Sequence, residues 1–295
     1  MRVPLLFLVV AVAALTAGFG GGEGAGGRPD VVATTTEAAD LARHVAGDRA
    51  DVHGLLAPNS DPHEYEPRPG DIRALAGADL VVRSGGDVDA WLSGAVDSAG
   101  SGAPVLDLLD HVGPEGDDPH WWQDPRRAAR AVGEIAAALA AADPDGAPGY
   151  ERRATAYRDR LRELDASVAR CIGAIPPERR KLVTTHDALG YYARRYGLEV
   201  IGTVIPGLTT QAQASAGDLA ELTATIRRER VPAIFVETSV NPKVEKAIAR
   251  ETGARVGRPL WADSLGRRGS RGATYVGAIQ ANTDAIAEGL TGRPC

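Results

Sequence analysis

The sequence predicts an α/β protein of two lobes, each with a central, mostly parallel sheet flanked by helices, joined by one long helix. Three observations carry this expectation. Short apolar runs alternate with amphipathic stretches through the first half, the alternation gives way near Pro148 to one unbroken helical stripe, and it resumes beyond Pro177. At 295 residues the chain is longer than one average domain, which suits two lobes. The expected boundaries are a signal segment at 1–18, a Gly-rich flexible tether at 19–28, an N-terminal lobe at 29–147, a linking helix at 148–173 and a C-terminal lobe at 174–295.

The elements follow in order. Residues 31–34, Val-Val-Ala-Thr, read as a short buried strand, and 37–46 as a helix. Strands are expected again at 52–56, 80–82 and 104–106, with helices at 71–76, 88–96 and 126–142 between or after them. A strand, helix, strand repeat of this kind implies parallel pairing with helices on both faces. From Pro148 the apolar residues Tyr150, Ala154, Tyr157, Leu161, Leu164, Val168 and Ile172 recur every three or four positions, one stripe on one long helix. Pro144, Pro148, Pro176 and Pro177 set its ends. Strands are then expected at 182–184, 200–202, 233–236 and 254–256, and helices at 188–196, 215–230, 242–252 and 273–288.

Composition narrows the function. With 44% hydrophobic and 24% charged residues, the chain has the make-up of an ordinary globular protein. A net charge of −6, and no basic run interleaved with aromatics, argue against a nucleic-acid surface. Arg2, an apolar run over 3–15 and the small residues Thr16, Ala17 and Gly18 form a secretory signal pattern, so the mature protein is expected to work in an extracytoplasmic location, in a periplasm or at a cell surface. The string Thr16-Ala17-Gly18-Phe19 resembles a bacterial lipobox with Phe19 where the lipid-bearing Cys would stand. Gly22, Gly24 and Gly27 match G-x-G-x-x-G spacing, but without a preceding strand or a following helix they read as part of a tether. The two cysteines, Cys171 and Cys295, have no Cys or His at ligand spacing; whether they pair with each other is left open.

Six histidines are present, and three stand out by their surroundings. His63 lies in Asp61-Pro62-His63-Glu64-Tyr65-Glu66-Pro67, His120 in Asp118-Pro119-His120-Trp121-Trp122, and His186 in Thr184-Thr185-His186-Asp187-Ala188. Each follows an expected strand and precedes a helix, the edge at which open α/β sheets bind ligands. Asp263 follows the last strand and belongs to the same edge. Three imidazoles and one carboxylate make a closed four-ligand shell of the kind Zn²⁺ accepts, and affinity order favours zinc over Mn²⁺ at a nitrogen-rich site. Glu64, Asp187 and Glu237 are candidate carboxylate partners for these ligands, and Trp121 and Trp122 are expected to wall the site. His44, His53 and His111 read as ordinary surface or core residues.

The strings His63-Glu64-Tyr65-Glu66-Pro67, Asp118-Pro119-His120-Trp121, His186-Asp187-Ala188 and Asp263-Ser264-Leu265-Gly266 resemble the metal-specific solute-binding proteins of ABC importers, the ZnuA/TroA-like family. The similarity runs in order through nearly the whole mature chain and takes in Ile234-Phe235-Val236-Glu237 and Glu251-Thr252-Gly253. The resemblance implies two lobes, a rigid connecting helix, and a metal ion held between the lobes for delivery to a membrane permease. Its ligand positions fall on His63, His120, His186 and Asp263. Manganese-selective members tend to carry Glu at the position of His186, so the His tilts the expectation to zinc, with manganese as the alternative. The acidic segment 111–118 has no His-rich insertion, and Gln213 stands where the family usually has Glu.

The expected function is therefore a monomeric binding receptor for extracytoplasmic Zn²⁺ rather than an enzyme. A zinc hydrolase needs an open coordination position and a general base. The chain has no H-E-x-x-H, since His63-Glu64 is followed by Tyr65-Glu66-Pro67, and no G-x-S-x-G. A surface adhesin that keeps the metal for structure is the third reading.

Overall fold

The structure, a computed structural model, describes residues 27–295; the signal segment and nearly all of the tether lie outside the described residues. The first half builds a four-stranded sheet from β1 (Asp30–Ala33), β2 (Asp51–Gly54), β3 (Leu80–Arg83) and β4 (Val105–Asp107), in the order β2-β1-β3-β4. Every pairing is parallel, with Val31 opposite both Val52 and Leu80, so the carboxyl ends of all four strands share one edge. Parallel neighbours need crossovers, supplied by α1 (Thr36–Ala46), α2 (Pro69–Ala76) and α3 (Leu92–Ala99). Thr35 ends the β1 turn and caps α1, its hydroxyl accepting from Ala38 N at 3.2 Å. After β4 come a one-turn α4 (Leu108–Val112) and α5 (Pro125–Ala142).

The apolar stripe becomes α6 (Ala147–Gly173), 27 residues and about 40 Å long. All seven stripe residues are buried. The second half then runs through β5 (Lys181–Thr184), α7 (Gly190–Tyr196), β6 (Glu199–Thr203), α8 (Ala216–Glu229), β7 (Ala233–Ile234), α9 (Lys243–Thr252), β8 (Arg255–Val256) and α10 (Tyr275–Thr291). Here the pairs β5-β6 and β7-β8 are again parallel. They are stitched together by single parallel bridges, Thr184 with Phe235 and Glu237 with Leu260.

Those bridges explain why the strand expected over 233–236 is regular for only two residues. Beyond Ile234 the chain stays extended but changes partner, Phe235 N donating to Val183 O at 2.8 Å while Thr238 N reaches Leu260 O at 3.0 Å. The helix expected over 88–96 opens as a 3₁₀ turn at Gly86–Asp89 and becomes regular only at α3. Asp89 explains the break: its buried carboxylate accepts from Ser84 N, Gly85 N and Thr34 Oγ1, which fixes this turn to the sheet.

One contiguous apolar core joins the two halves. It includes Val31, Leu80 and Ile135 from the first, Tyr157 and Leu164 of α6, and Tyr192, Phe235, Ile279 and Leu290 from the second. Cys171 on α6 and Cys295 beyond α10 form a disulfide, their Cα atoms 5.7 Å apart, so the pairing left open by the sequence is made. Among the described residues no helix is long and apolar enough to cross a membrane.

Candidate metal centre

The four residues singled out from sequence come together. One ligand atom from each of His63, His120, His186 and Asp263 lies within 4.8 Å of all the others, and all four side chains are buried. Local chemistry places each one. His63 sits in the turn after β2, its N–H donating to Asp61 Oδ1 at 2.9 Å, an Asx turn that orients the residue two positions on. His120 opens a 3₁₀ turn (Trp121–Gln123), and Asp118 Oδ1 accepts both its main-chain N–H at 3.0 Å and its ring Nδ1 at 2.8 Å. His186 ends the β5 edge in the same way: Glu237 Oε1 accepts its main-chain N–H at 3.2 Å and its Nδ1 at 2.8 Å. Asp263 follows β8 and the Leu260 bridge.

This pairing decides where the imidazole lone pairs point. A carboxylate only accepts, so Nδ1 carries the proton in both rings and Nε2 is left as the inward-facing donor atom for a cation. The two Nε2 atoms of His120 and His186 face one another at 3.3 Å. Asp263 oxygens lie 3.1 Å from His186 Nε2, 3.4 Å from His63 Nε2 and 3.5 Å from His120 Nε2. Ligand atoms about 2.0–2.1 Å from one ion form a tetrahedron with edges of about 3.3–3.4 Å, so these four separations are the size such an ion requires. His63 Nε2 and both Asp263 oxygens are buried without a hydrogen-bond partner, an arrangement that costs free energy unless a cation sits among them.

The charges of the metal-free cage are set by the same contacts. Burial alone would lower the His186 pKa, but the carboxylates of Asp263 and Glu237 outweigh it and hold the imidazole well above its ordinary value. Burial pushes Asp263 upward, yet the facing His186 and His120 bring it well below the usual carboxylate range. Glu237 is raised by burial, with His186 opposing the rise.

Of the expected carboxylate partners, only Glu237 bonds a cage residue. Glu64 is exposed and makes no hydrogen bond to the cage. Asp187 is partly buried, its N–H spent on Gly207 O at 3.0 Å; burial and then the nearby Asp118 charge raise its pKa, but its carboxylate does not bond a cage ring. Both corrections have one reason: neighbouring side chains in an extended or turning segment diverge, so the residue beside a ligand faces elsewhere. The partner that sequence reasoning missed is Asp118, whose signal was its place two residues ahead of His120, the spacing of an Asx turn. Trp122 packs on His120, ring centroids 5.3 Å apart, and Trp121 Nε1 is tied to Ser84 O at 3.0 Å. Gln211 donates to His63 O. His44 stacks on Tyr157, while His53 and His111 are exposed, and none of the three joins the cage.

The fold and the cage together define a two-halved α/β protein with a buried cation site at the strand ends. The chain belongs to the family described as zinc-uptake complex component A, periplasmic, which matches residues 31–289. It is 36% identical over 282 residues to the zinc-binding protein TroA of Treponema pallidum, covering 90% of each chain. It is 30% identical over 301 residues, 97% of each chain, to the manganese ABC transporter substrate-binding lipoprotein PsaA of Streptococcus mitis. The solved structure of the Treponema zinc-binding protein superposes with a TM-score of 0.84 at 32% identity, covering 90% of this chain and 99% of that one. A laminin-binding protein of Streptococcus agalactiae, titled a bifunctional protein with adhesin and metal transporting activity, superposes at 0.80 with 27% identity, covering 89% of this chain and 100% of that one. Membership places the chain among substrate receptors of ABC importers that work outside the cytoplasm, not among enzymes.

Proposed function

We propose that His63, His120, His186 and Asp263 ligate one Zn²⁺ ion as cargo, and that the chain, as a monomer, delivers it to the membrane permease of an ABC importer. The observation that carries this reading is the set of three imidazoles and one carboxylate turned on one point, one ligand atom of each within 4.8 Å of all the others and four of the separations at 3.1–3.5 Å. Each of two rings is oriented by its own carboxylate, which raises ligand basicity and leaves Nε2 free for the ion. Four protein ligands close the shell and leave no position for the reacting water that hydrolysis would need. The lobes are proposed to span 29–147 and 174–295, with 148–173 as the link. With Phe19 in the place of a lipid-bearing Cys, no thiol stands at that position to carry a lipid.

Mn²⁺ is the alternative cargo, favoured by relatives such as the Streptococcus mitis protein named for manganese. Three nitrogen donors weigh for zinc. Metal analysis of protein purified without chelator, followed by competition between Zn²⁺ and Mn²⁺, decides between them. His120→Ala is expected to abolish the thermal shift on Zn²⁺ addition; an intact shift would refute the ligand assignment. Transfer of bound ion to the importer in vesicles separates carriage from an adhesin that retains its metal.

A further inference from the structure

Asp263 is the one carboxylate of the cage, and no donor outside the cage holds its side chain. Both of its oxygens lack a hydrogen-bond partner and face only the cage imidazoles, at 3.1–3.5 Å, so outside the cage the carboxylate is placed by its backbone alone. That backbone is gripped from the other half of the molecule. Ala262 O accepts from Trp122 Nε1 at 2.8 Å and from Gln123 Nε2 at 2.7 Å, two donors on one carbonyl, from residues 140 and 139 positions away. Both donors are buried, and Gln123 Oε1 has no partner, so this amide is committed to Ala262 while leaving its own oxygen unpaired. Two residues on, Leu265 N donates to Thr36 Oγ1 at 2.7 Å and Leu265 O accepts from Asn59 N at 2.9 Å. Up to Trp261, by contrast, the chain is tied to its own half, through Asn282 at 2.9 and 2.7 Å. The change of allegiance falls directly before Asp263.

We infer that Trp122 and Gln123 are positioning residues that set where the Asp263 carboxylate meets the ion. They follow His120 by two and three places in one 3₁₀ turn, so a single rigid unit fixes His120 directly and Asp263 through Ala262. This inference rests on the proposed cage. A carboxylate with no hydrogen bond outside the cage is displaced by any slack in its backbone, and loss of such support typically costs 10–100-fold in metal affinity.

The test is a pair of double-mutant cycles. Gln123→Leu and Trp122→Phe each remove one donor while keeping a side chain of comparable shape, and each is combined with Asp263→Ala. Zn²⁺ affinity is measured by chelator competition, and the visible spectrum of the Co²⁺-loaded protein reports coordination geometry. Each donor variant is expected to weaken Zn²⁺ about tenfold or more and to alter the Co²⁺ spectrum when Asp263 is present, and to have no further effect once Asp263 is Ala. If the donor variants keep wild-type affinity while Asp263→Ala loses it, or if they weaken binding equally in the Asp263→Ala background, the inference is overturned and the cage stands. If Asp263→Ala itself binds as wild type, the cage reading fails instead. Each donor runs its own cycle, so misfolding of one variant, seen by circular dichroism, leaves the other to decide.

Discussion

At the level of single residues, the cage is a contest between a metal ion and a proton for the same nitrogen. In the metal-free protein burial disfavours a charged His186, but Asp263 at 3.1 Å and Glu237 at 2.8 Å prevail and keep it protonated above the ordinary His range. A group raised in this way stabilises the metal-free fold fully below its unfolded pKa, and that contribution is lost as pH rises through the raised value. Loading the ion must displace this proton, so affinity falls with falling pH and loading at neutral pH releases about one proton. Titration calorimetry in buffers of different ionisation enthalpy measures that number; a heat independent of buffer would contradict it. The two orienting carboxylates should also differ in weight. Asp118 shares its charge with Arg194, 3.3 Å away, whereas Glu237 is buried and its other oxygen has no partner. Glu237→Gln is therefore expected to weaken Zn²⁺ by about 10–100-fold, and more than Asp118→Asn does; the reverse order in chelator competition would refute this account.

At the level of elements, legibility followed repetition. The α6 stripe could be read residue by residue because seven positions at helical spacing all face the core, and burial confirms each. The Asp107-capped α4 escaped notice, since five residues give no measurable period. Most of the cage was readable from its strings, because His63 and His120 lie in turns that Asp61 and Asp118 dictate locally and His186 lies just past β5. What sequence could not show is through-space pairing: which carboxylate reaches which ring, and that Ala262 hangs from Trp122 and Gln123. The Cys171–Cys295 bridge belongs here too, binding the end of α6 to the segment after α10. It closes a loop of 124 residues, and removing such a link by Cys171→Ser should lower unfolding free energy by roughly 3–5 kcal/mol. Denaturant titration of oxidised and variant protein checks this; equal midpoints would mean that the bridge constrains little of the unfolded chain.

For the whole molecule, the question is whether two sheets mean two folding units. The apolar core argues that they do not, because it runs without interruption from Val31 through the α6 stripe to Leu290. Asp165 adds a polar junction at the same place, accepting from Arg126 on α5 at 2.9 Å and from Arg195 and Tyr196 on α7 at 2.6 and 3.0 Å. An unfolded second half would therefore strip α6 of the cover that Tyr192, Ile279 and Leu290 provide, and expose apolar surface that the first half alone has no means to bury. Scanning calorimetry of the metal-free protein should accordingly give one peak whose calorimetric and van't Hoff enthalpies agree. Zn²⁺ at a hundred times its Kd adds about 2.7 kcal/mol to the folded state alone. In a chain of this size that moves the single peak up by roughly 4–5 °C without dividing it. Two resolved peaks, with only one of them responding to metal, would show that the halves fold separately and that α6 joins them without making them one.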